Sequence, residues 1–123
     1  MSEIICLSVI IPAYNEENRL PRTLEEVDRY LRNQSYEYEI VVVNDGSKDK
    51  TVQLVESLKP QIQNLRLIDN KENRGKGSVV RQGMLGAKGD YRLFTDADNS
   101  TSIDQVEKIW PHLKSGYDVV IGS

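Results

Sequence analysis

The sequence predicts an α/β protein built on an open, doubly wound and mostly parallel β-sheet. Strand-like and helix-like segments alternate along the 123 residues, with no linker, repeat or low-complexity tract between them. The first strand-like run, IICLSVII, has no polar face, as a strand covered on both sides requires. Polar loops follow each of the first four strands, at the edge where doubly wound sheets bind their ligands.

The first half of the chain is predicted to contain two strands and two helices. The apolar run from Ile4 to Ile11 forms the first strand, and a second strand covers Tyr38 to Asn44. Between them, apolar residues at helical spacing predict a helix from Asn18 to Leu31. A second helix begins near Val52 and ends near Pro60, because proline cannot continue a helix.

The second half continues the same alternation. Leu65 to Asn70 and Tyr91 to Thr95 are predicted to form the third and fourth strands, with a helix from Gly77 to Ala87 between them. A fourth helix over Ser102 to Leu113 and a fifth strand over Tyr117 to Ser123 complete the pattern. This alternation of strand and helix favours right-handed crossovers within one sheet.

Length and composition predict one domain over residues 1–123, with no segment that binds nucleic acid or spans a membrane. The net charge is −3 and the pI is near 5.2, whereas nucleic-acid binders carry a basic face. The single cysteine, Cys6, excludes an internal disulfide and fits a reducing compartment. Neither a signal peptide nor an apolar run of roughly 20 residues is present, so we expect a soluble, cytoplasmic chain.

Two aspartates that follow the fourth strand form the candidate metal site. Asp96 and Asp98 are separated by one residue, so in an extended segment their side chains point the same way. Two carboxylates held this close need a cation or a donor to compensate their charge. Hard oxygen ligands of this kind suit Mg²⁺ or Mn²⁺, bound together with substrate phosphates.

Other interpretations of the acidic pair fit less well. Asp96 to Glu107 has ligand-type residues at EF-hand spacing, but Thr101 occupies the position that requires glycine. A dehalogenase-type phosphatase carries its aspartate pair after the first strand, whereas this pair follows the fourth. A solvated turn with two uncoupled acids remains the alternative.

Two further loops carry groups that suit a nucleoside. In PAYNEEN, Tyr14 offers an aromatic ring for stacking and Glu16 offers a hydrogen-bond acceptor, although Tyr14 is equally explained as a packing residue. In NDGS, Gly46 lets the backbone turn from strand to helix. Asp45 is thereby presented at the strand end, where its carboxylate can accept from a ribose hydroxyl or a base N–H.

The glycine-rich segment NRGKG suits a diphosphate. Gly75, Lys76 and Gly77 precede a helix, and Arg81 lies one turn inside it. Backbone N–H groups, the helix dipole and the two cations attract phosphate oxygens. The segment is neither a Walker loop nor a dinucleotide fingerprint, because neither glycine pattern is complete. A solvated glycine-rich loop is the simpler interpretation of this segment taken alone.

Taken in order, these segments resemble one family. SVIIPAYNEENRLPRTL, EIVVVNDGSKDKT, NRGKGSVVRQGM and DADNS are similar to the successive motifs of family 2 glycosyltransferases. That family has the GT-A fold of nucleotide-diphospho-sugar transferases. NRGKG and RLPRTL most resemble the polyprenyl-phosphate (dolichyl-phosphate) hexosyltransferases. The resemblance covers essentially the whole chain.

The resemblance implies roles for the candidate residues. Pro12, Tyr14 and Glu16 would line the nucleoside pocket, and Asp45 would meet the base or ribose. Asp96 would contact the ribose or sugar side, and both aspartates belong to the metal site, with Asp98 coordinating the ion on the diphosphate. Lys76 and Arg81 would lie on the phosphate or sugar side.

Two positions depart from the family's pattern. Asn44 stands where many members have an aspartate, and Ser100 stands where mannosyl-phosphate synthases carry glutamine beside the metal. The second departure leaves the metal shell and the choice of sugar open.

The implied activity is inverting, metal-dependent transfer of a hexose from a UDP- or GDP-linked sugar to an acceptor, with polyprenyl phosphate as the implied class. Because the sequence ends with its fifth strand, we expect a truncated GT-A domain that binds nucleotide and transfers sugar poorly. The full-length protein would act at the cytoplasmic face of a membrane. The exposed last strand is able to pair with a second copy, which suggests a homodimer.

A different class of function also fits the sequence. A non-catalytic nucleotide-binding or regulatory α/β module would share the sheet, and a nucleotidyltransferase would share much of its topology. Nucleotidyltransferases usually begin with a loop rich in glycine and arginine, which is absent here. No catalytic base is identified, and a phosphate acceptor would need none because it is already an anionic nucleophile.

Overall fold

The computed structural model describes residues 5–97 and confirms the predicted alternation of strands and helices in this part. The elements are β1 Leu7–Ala13, α1 Leu20–Arg32, β2 Tyr38–Asp45, α2 Thr51–Leu58, β3 Leu65–Asn70, α3 Lys76–Gly86 and β4 Tyr91–Phe94. Their ends differ from the predicted ones by a few residues. The predicted fourth helix and fifth strand, and the homodimer expected from that strand, fall outside the described residues.

The described strands form a four-stranded sheet in the order β3-β2-β1-β4. All the neighbouring pairs are parallel, with Leu7 of β1 in register with Tyr38 of β2 on one side and Tyr91 of β4 on the other. The prediction of a parallel α/β sheet is therefore confirmed. Because every strand runs in the same direction, the loops that follow β1, β2 and β4 gather at one edge.

Helices cover both faces of the sheet, as a doubly wound fold requires. Side chains alternate along β1, so that Ile11 points towards α1 and α2 while Ile10 points towards α3. The first face buries Val9, Ile11, Leu24, Val27, Val42 and Val55, and the second buries Ile10, Val41, Val43, Val79 and Met84. Each fully buried aliphatic side chain contributes about 1.5–3 kcal/mol.

The strand order creates a switch point beside β1. The chain leaves β1 towards β2 through α1, and it reaches β4 on the other side of β1 through α3. Connections that diverge in this way open a crevice outside the carboxyl ends of the two strands. Among residues 5–97, no helix has the length and apolar character that a bilayer crossing demands.

A buried carboxylate joins the strands at the opposite, amino-terminal edge. Glu39 is 4% exposed and accepts hydrogen bonds from the hydroxyl of Ser8 at 2.5 Å, Nε of Arg66 at 2.9 Å and the N–H of Lys88 at 2.7 Å. Burial alone would raise the pKa of Glu39, but these donors and the charge of Arg66 lower it below its ordinary value of 4.5. The network ties β1, β2, β3 and the α3–β4 loop together.

Replacing Gly83 by alanine is expected to lower the free energy of unfolding by about 1–2 kcal/mol, because overpacking outweighs the gain in helix propensity. A Cβ at Gly83 would lie 2.6 Å from Cγ2 of Ile10 and 3.0 Å from Cγ2 of Val43. Gly77→Ala on the same helix is the matched control, since nothing lies within 4 Å of its Cβ position. Urea denaturation measures both variants, and equal changes would contradict the tight packing of α3.

Glu39→Gln is expected to change how stability depends on pH. Because the folded pKa of Glu39 is lowered, its carboxylate stabilises the fold above its ordinary pKa and loses that contribution as the pH falls through the folded value. The wild-type and variant curves of unfolding free energy should therefore differ at neutral pH and converge in acid. Glu37→Gln, an exposed neighbour on the same segment, serves as the control and should leave the curve unchanged.

Candidate functional site

A cleft of about 180 Å³ lies at the carboxyl edge of the sheet, beside β1 and β4. Its lining comes from the carboxyl ends of β1 and β2, from the loops after β1 and β4, and from the first turn of α3. The lining residues are Pro12, Ala13, Tyr14, Glu16, Asp45, Lys76, Val79, Asp96 and Ala97. The structure therefore brings together all the sequence-predicted site residues except Arg81 and Asp98. Arg81 is exposed on α3 away from the lining, and Asp98 falls outside residues 5–97.

The loop after β1 presents an aromatic ring at the cleft. Tyr14 is 47% exposed, whereas Ala13 before it is buried at the end of the strand. Asn15 follows with a φ of +52°, in the left-handed region that few residues other than glycine adopt. Tyr14 is thus an exposed side chain rather than the packing residue of the alternative interpretation.

Side chains from the β2–α2 loop and the start of α2 hold the backbone of residues 15–17. Consecutive N–H groups of this stretch donate to hydroxyl and carboxylate oxygens, and one bond returns in the other direction. The pairs are Asn15 N–H to Ser47 Oγ at 2.9 Å, Glu16 N–H to Thr51 Oγ1 at 2.9 Å, Glu17 N–H to Asp49 Oδ2 at 3.2 Å and Lys48 N–H to Asn15 Oδ1 at 2.8 Å. The two loops are therefore joined along their length.

Ser47, Asp49 and Thr51 are site residues that sequence reasoning missed. Asp49 also accepts the N–H of Thr51 at 2.9 Å, and this local turn is the signal that Asp-Lys-Thr before a helix could have given. Burial would raise the pKa of Asp49, but its hydrogen bonds from Thr51 and Glu17 lower it. Asp49 therefore stays a charged acceptor at neutral pH.

Asp45 holds the loop that precedes α3. Asp45 is 5% exposed, and its carboxylate accepts hydrogen bonds from the N–H of Arg74 at 2.5 Å, the N–H of Gly75 at 3.1 Å and Nδ2 of Asn73 at 3.2 Å. The contact with a base or ribose stays a prediction. What the structure adds is that this carboxylate is already engaged by the glycine-rich segment.

Gly46 allows the two loops to approach this closely. Its φ is +73°, and a Cβ there would lie 2.6 Å from the backbone N of Asn73. Backbone atoms cannot yield as the end of a flexible side chain can, so the position requires glycine on both counts.

A lysine and an aspartate form an ion pair inside the cleft. Lys76 begins α3, and its ammonium donates to Oδ1 of Asp96 and lies 5.9 Å from the centroid of the Phe94 ring. The two side chains are 59% and 23% exposed. A partly solvated pair of this kind contributes little to stability, so its members are available to a charged ligand at small cost.

Glu16, predicted as a hydrogen-bond acceptor of the nucleoside pocket, already accepts from a neighbouring side chain. Its Oε1 accepts Nε of Arg19 at 2.8 Å in an ion pair within the same loop. The carboxylate still lines the cleft. It meets a ligand there with its charge already balanced by a neighbour.

One described carboxylate, that of Asp96, could serve as a ligand for a hard cation. Within residues 5–97, no group of three or more His, Cys, Asp or Glu side chains could hold a metal ion. Mg²⁺ needs only one or two carboxylates when substrate phosphates complete its shell. The carboxylate of Asp96, which lines the cleft and already accepts a cationic donor, fits that requirement.

Comparison with known proteins identifies the family of the chain. The family described as Glycosyl transferase family 2 matches residues 8–123. Dolichyl-phosphate beta-glucosyltransferase ALG5A of Trichomonas vaginalis is 40% identical over 97% of this chain and 40% of its own length. The Dictyostelium discoideum dolichyl-phosphate beta-glucosyltransferase is 42% identical over the same shares. The chain thus spans about 40% of the length of these relatives.

Solved structures with the same fold include S. aureus TarS in complex with UDP-GlcNAc. It has a TM-score of 0.69 and 32% identity, over 88% of this chain and 32% of that one. The mannosyltransferase PcManGT from Pyrobaculum calidifontis, in complex with GDP-Man and Mn²⁺, also has a TM-score of 0.69. It is 27% identical over 85% of this chain and 31% of its own. The fold is thus that of GT-A glycosyltransferases, and the chain belongs to glycosyl transferase family 2.

Proposed function

We propose that the chain is the nucleotide-sugar-binding part of an inverting, metal-dependent transferase. Its full-length form would move a hexose, glucose by analogy with the curated relatives, from a nucleoside diphosphate to a polyprenyl phosphate. The observation that carries the proposal is the convergence of Tyr14, Lys76 and Asp96 on one cleft at the switch point of the sheet. Activity is proposed for the full-length protein, because the chain spans only about 40% of its relatives.

The nucleoside would occupy the side of the cleft formed by the β1–α1 loop. The exposed ring of Tyr14 offers a face on which a base stacks. Pro12 forms the apolar floor, and Asp45 and Glu16 supply acceptors at its rim. We propose uracil or guanine as the base, because the relatives of known structure include complexes with UDP-GlcNAc and with GDP-Man.

The diphosphate would lie at the start of α3. This helix has no acidic residue in its first turn, so the helix dipole and its free N–H groups favour an anion there. The ammonium of Lys76 is able to leave Asp96 and pair with a phosphate oxygen. We assign Arg81, which is exposed on the same helix, to the sugar side of the bound donor.

The metal-binding residues would be Asp96 and Asp98, with Mg²⁺ or Mn²⁺ as the ion. When bound, the ion supplies positive charge that stabilises the departing nucleoside diphosphate. Support comes from the carboxylate of Asp96 in the cleft and from the Mn²⁺ complex of PcManGT. Glu16 and Asp45 are assigned to the nucleoside rather than to the metal ion, because their carboxylates already accept hydrogen bonds from Arg19 and from the N–H of Arg74.

The acceptor would be an anionic nucleophile. One oxygen of its phosphate attacks the anomeric carbon while the bond from that carbon to the diphosphate oxygen breaks on the opposite face. No general base is required, because the attacking oxygen carries no proton. With a lipid-linked acceptor of this kind, we expect the full-length protein to act at the cytoplasmic face of a membrane.

Nucleotide binding should stabilise the chain in a metal-dependent way. With UDP or GDP at about 100 times its dissociation constant and Mn²⁺ present, the free energy of unfolding should rise by about 2.7 kcal/mol. Asp98→Ala should remove this gain by removing a metal ligand. Thermal shift with UDP, GDP and their sugars, with and without Mn²⁺, measures the effect and shows which base is preferred.

The matched control is Asp90→Ala, which removes the same charge from an exposed position before β4. Its response to nucleotide and Mn²⁺ should equal that of the wild type. Stabilisation by Ca²⁺ without any nucleotide would instead support the EF-hand-like interpretation of the segment from Asp96. If nucleotide stabilises the chain equally with and without Mn²⁺, and equally in the Asp98→Ala variant, the metal-dependent site is refuted.

A further inference from the structure

We propose that Ser47, Asp49 and Thr51 are positioning residues of the nucleotide-binding cleft. None of them lines the cleft. They act by holding the backbone of residues 15–17, so that Tyr14 and Glu16 on either side of Asn15 keep their places at the rim. The inference rests on the proposed function for the identity of the ligand.

The first observation is the pattern of donors and acceptors between the two loops. The N–H groups of Asn15, Glu16 and Glu17 all donate to side-chain oxygens of the β2–α2 loop and the first residue of α2, at 2.9, 2.9 and 3.2 Å. A loop held by its own backbone would keep its shape when a neighbouring side chain changed. In this loop the carbonyl of Glu16 accepts from the backbone N–H groups of Arg19 and Leu20, but the N–H groups of residues 15–17 are held by side chains of another segment.

The second observation is the conformation of Asn15. Its φ of +52° lies in the left-handed region, which asparagine adopts more readily than most residues with a side chain, and such a conformation persists when the surroundings over-determine it. Here the N–H of Asn15 is held by Ser47, and its side-chain oxygen accepts the N–H of Lys48 at 2.8 Å. The conformation turns the chain between the exposed Tyr14 and Glu16, so the strain is located where the cleft is formed.

The third observation is the burial of the central hydroxyl. Thr51 is fully buried, and its hydroxyl donates to Asp49 Oδ1 while accepting the N–H of Glu16 at 2.9 Å. The other oxygen of Asp49 accepts the N–H of Glu17. The hydroxyl and the carboxylate thus connect the first turn of α2 directly to the loop of the cleft.

A purely structural role at the start of α2 is the competing explanation. Asp49 also accepts the N–H of Thr51, two residues further on, and this local turn leads the chain into α2. If that were its whole task, losing it would lower stability and leave the affinity for nucleotide unchanged. Ser47 separates the structural role from the positioning role. Its hydroxyl accepts the N–H of Asn15, and Ser47 lies before α2, so its loss should affect the loop rather than the helix.

The experiment compares Thr51→Val with Thr51→Ser in the whole chain. Valine keeps the shape of threonine but removes the hydroxyl, so the dissociation constant for UDP or GDP with Mn²⁺ should rise at least about fivefold. Serine keeps the hydroxyl and should restore binding to within about twofold of the wild type. Amide hydrogen exchange of Glu16 and Glu17 should be faster in the valine variant alone.

Ser47→Ala keeps the experiment decisive if the buried valine prevents folding. It removes a single acceptor from the more exposed end of the junction, and it should weaken nucleotide binding and speed exchange at Asn15. Glu39→Gln is the matched control, since it disturbs a buried network at the opposite edge of the sheet. It should lower stability while the dissociation constant stays within about twofold of the wild type.

The outcomes separate the two proposals. If the wild type binds no nucleotide, the proposed function fails, and amide hydrogen exchange at residues 15–17 alone decides the inference. Unchanged exchange rates in the variants would then overturn the inference, and faster rates would support it. If the wild type binds and Thr51→Val and Ser47→Ala bind equally well, the inference is wrong whatever their stability. Weaker binding together with faster exchange supports it.

Discussion

The parallel pairing of β1 with both β2 and β4 is the constraint on which the rest of the molecule depends. It places β1 in the middle of the sheet, buries its side chains on both faces, and brings the carboxyl ends of the three strands to one edge. It also directs α1 and α3 to opposite faces. The cleft exists because the chain leaves this central strand in two directions.

The loops at that edge are held by polar side chains. Asp45 bonds the N–H groups of Arg74 and Gly75 before α3, and the hydroxyl of Thr23 on α1 donates to the backbone oxygen of Ala97. The backbone N–H groups of a loop lack the hydrogen-bond acceptors that a helix or a strand would supply. Side chains from neighbouring segments do so instead, and rigid elements thereby fix the geometry of the rim.

Charged groups differ between the two edges of the sheet. Glu39 at the amino-terminal edge is buried, its donors come from the protein itself, and removing one partner would leave a charge unpaired. Lys76 and Asp96 in the cleft are partly solvated and form an ion pair with each other. The first arrangement stabilises the fold, whereas the second leaves a cation and an anion ready to exchange partners.

The sequence by itself determined the order of the elements and the set of loops that form the site. Periodicity identifies strands and helices from local residues alone, and the rule for parallel sheets then places Tyr14, Asp45, Lys76 and Asp96 at one edge. The resemblance in motif order identified the family.

Only the tertiary structure decided what each of those side chains touches. Three contacts join segments that are distant in sequence. Asp45 accepts hydrogen bonds from residues 73–75, Lys76 pairs with Asp96, and Thr51 accepts the N–H of Glu16 in the loop of residues 15–17. No local pattern encodes such contacts, because they depend on how closely two loops approach. That distance is set by packing, as Gly46 against Asn73 illustrates.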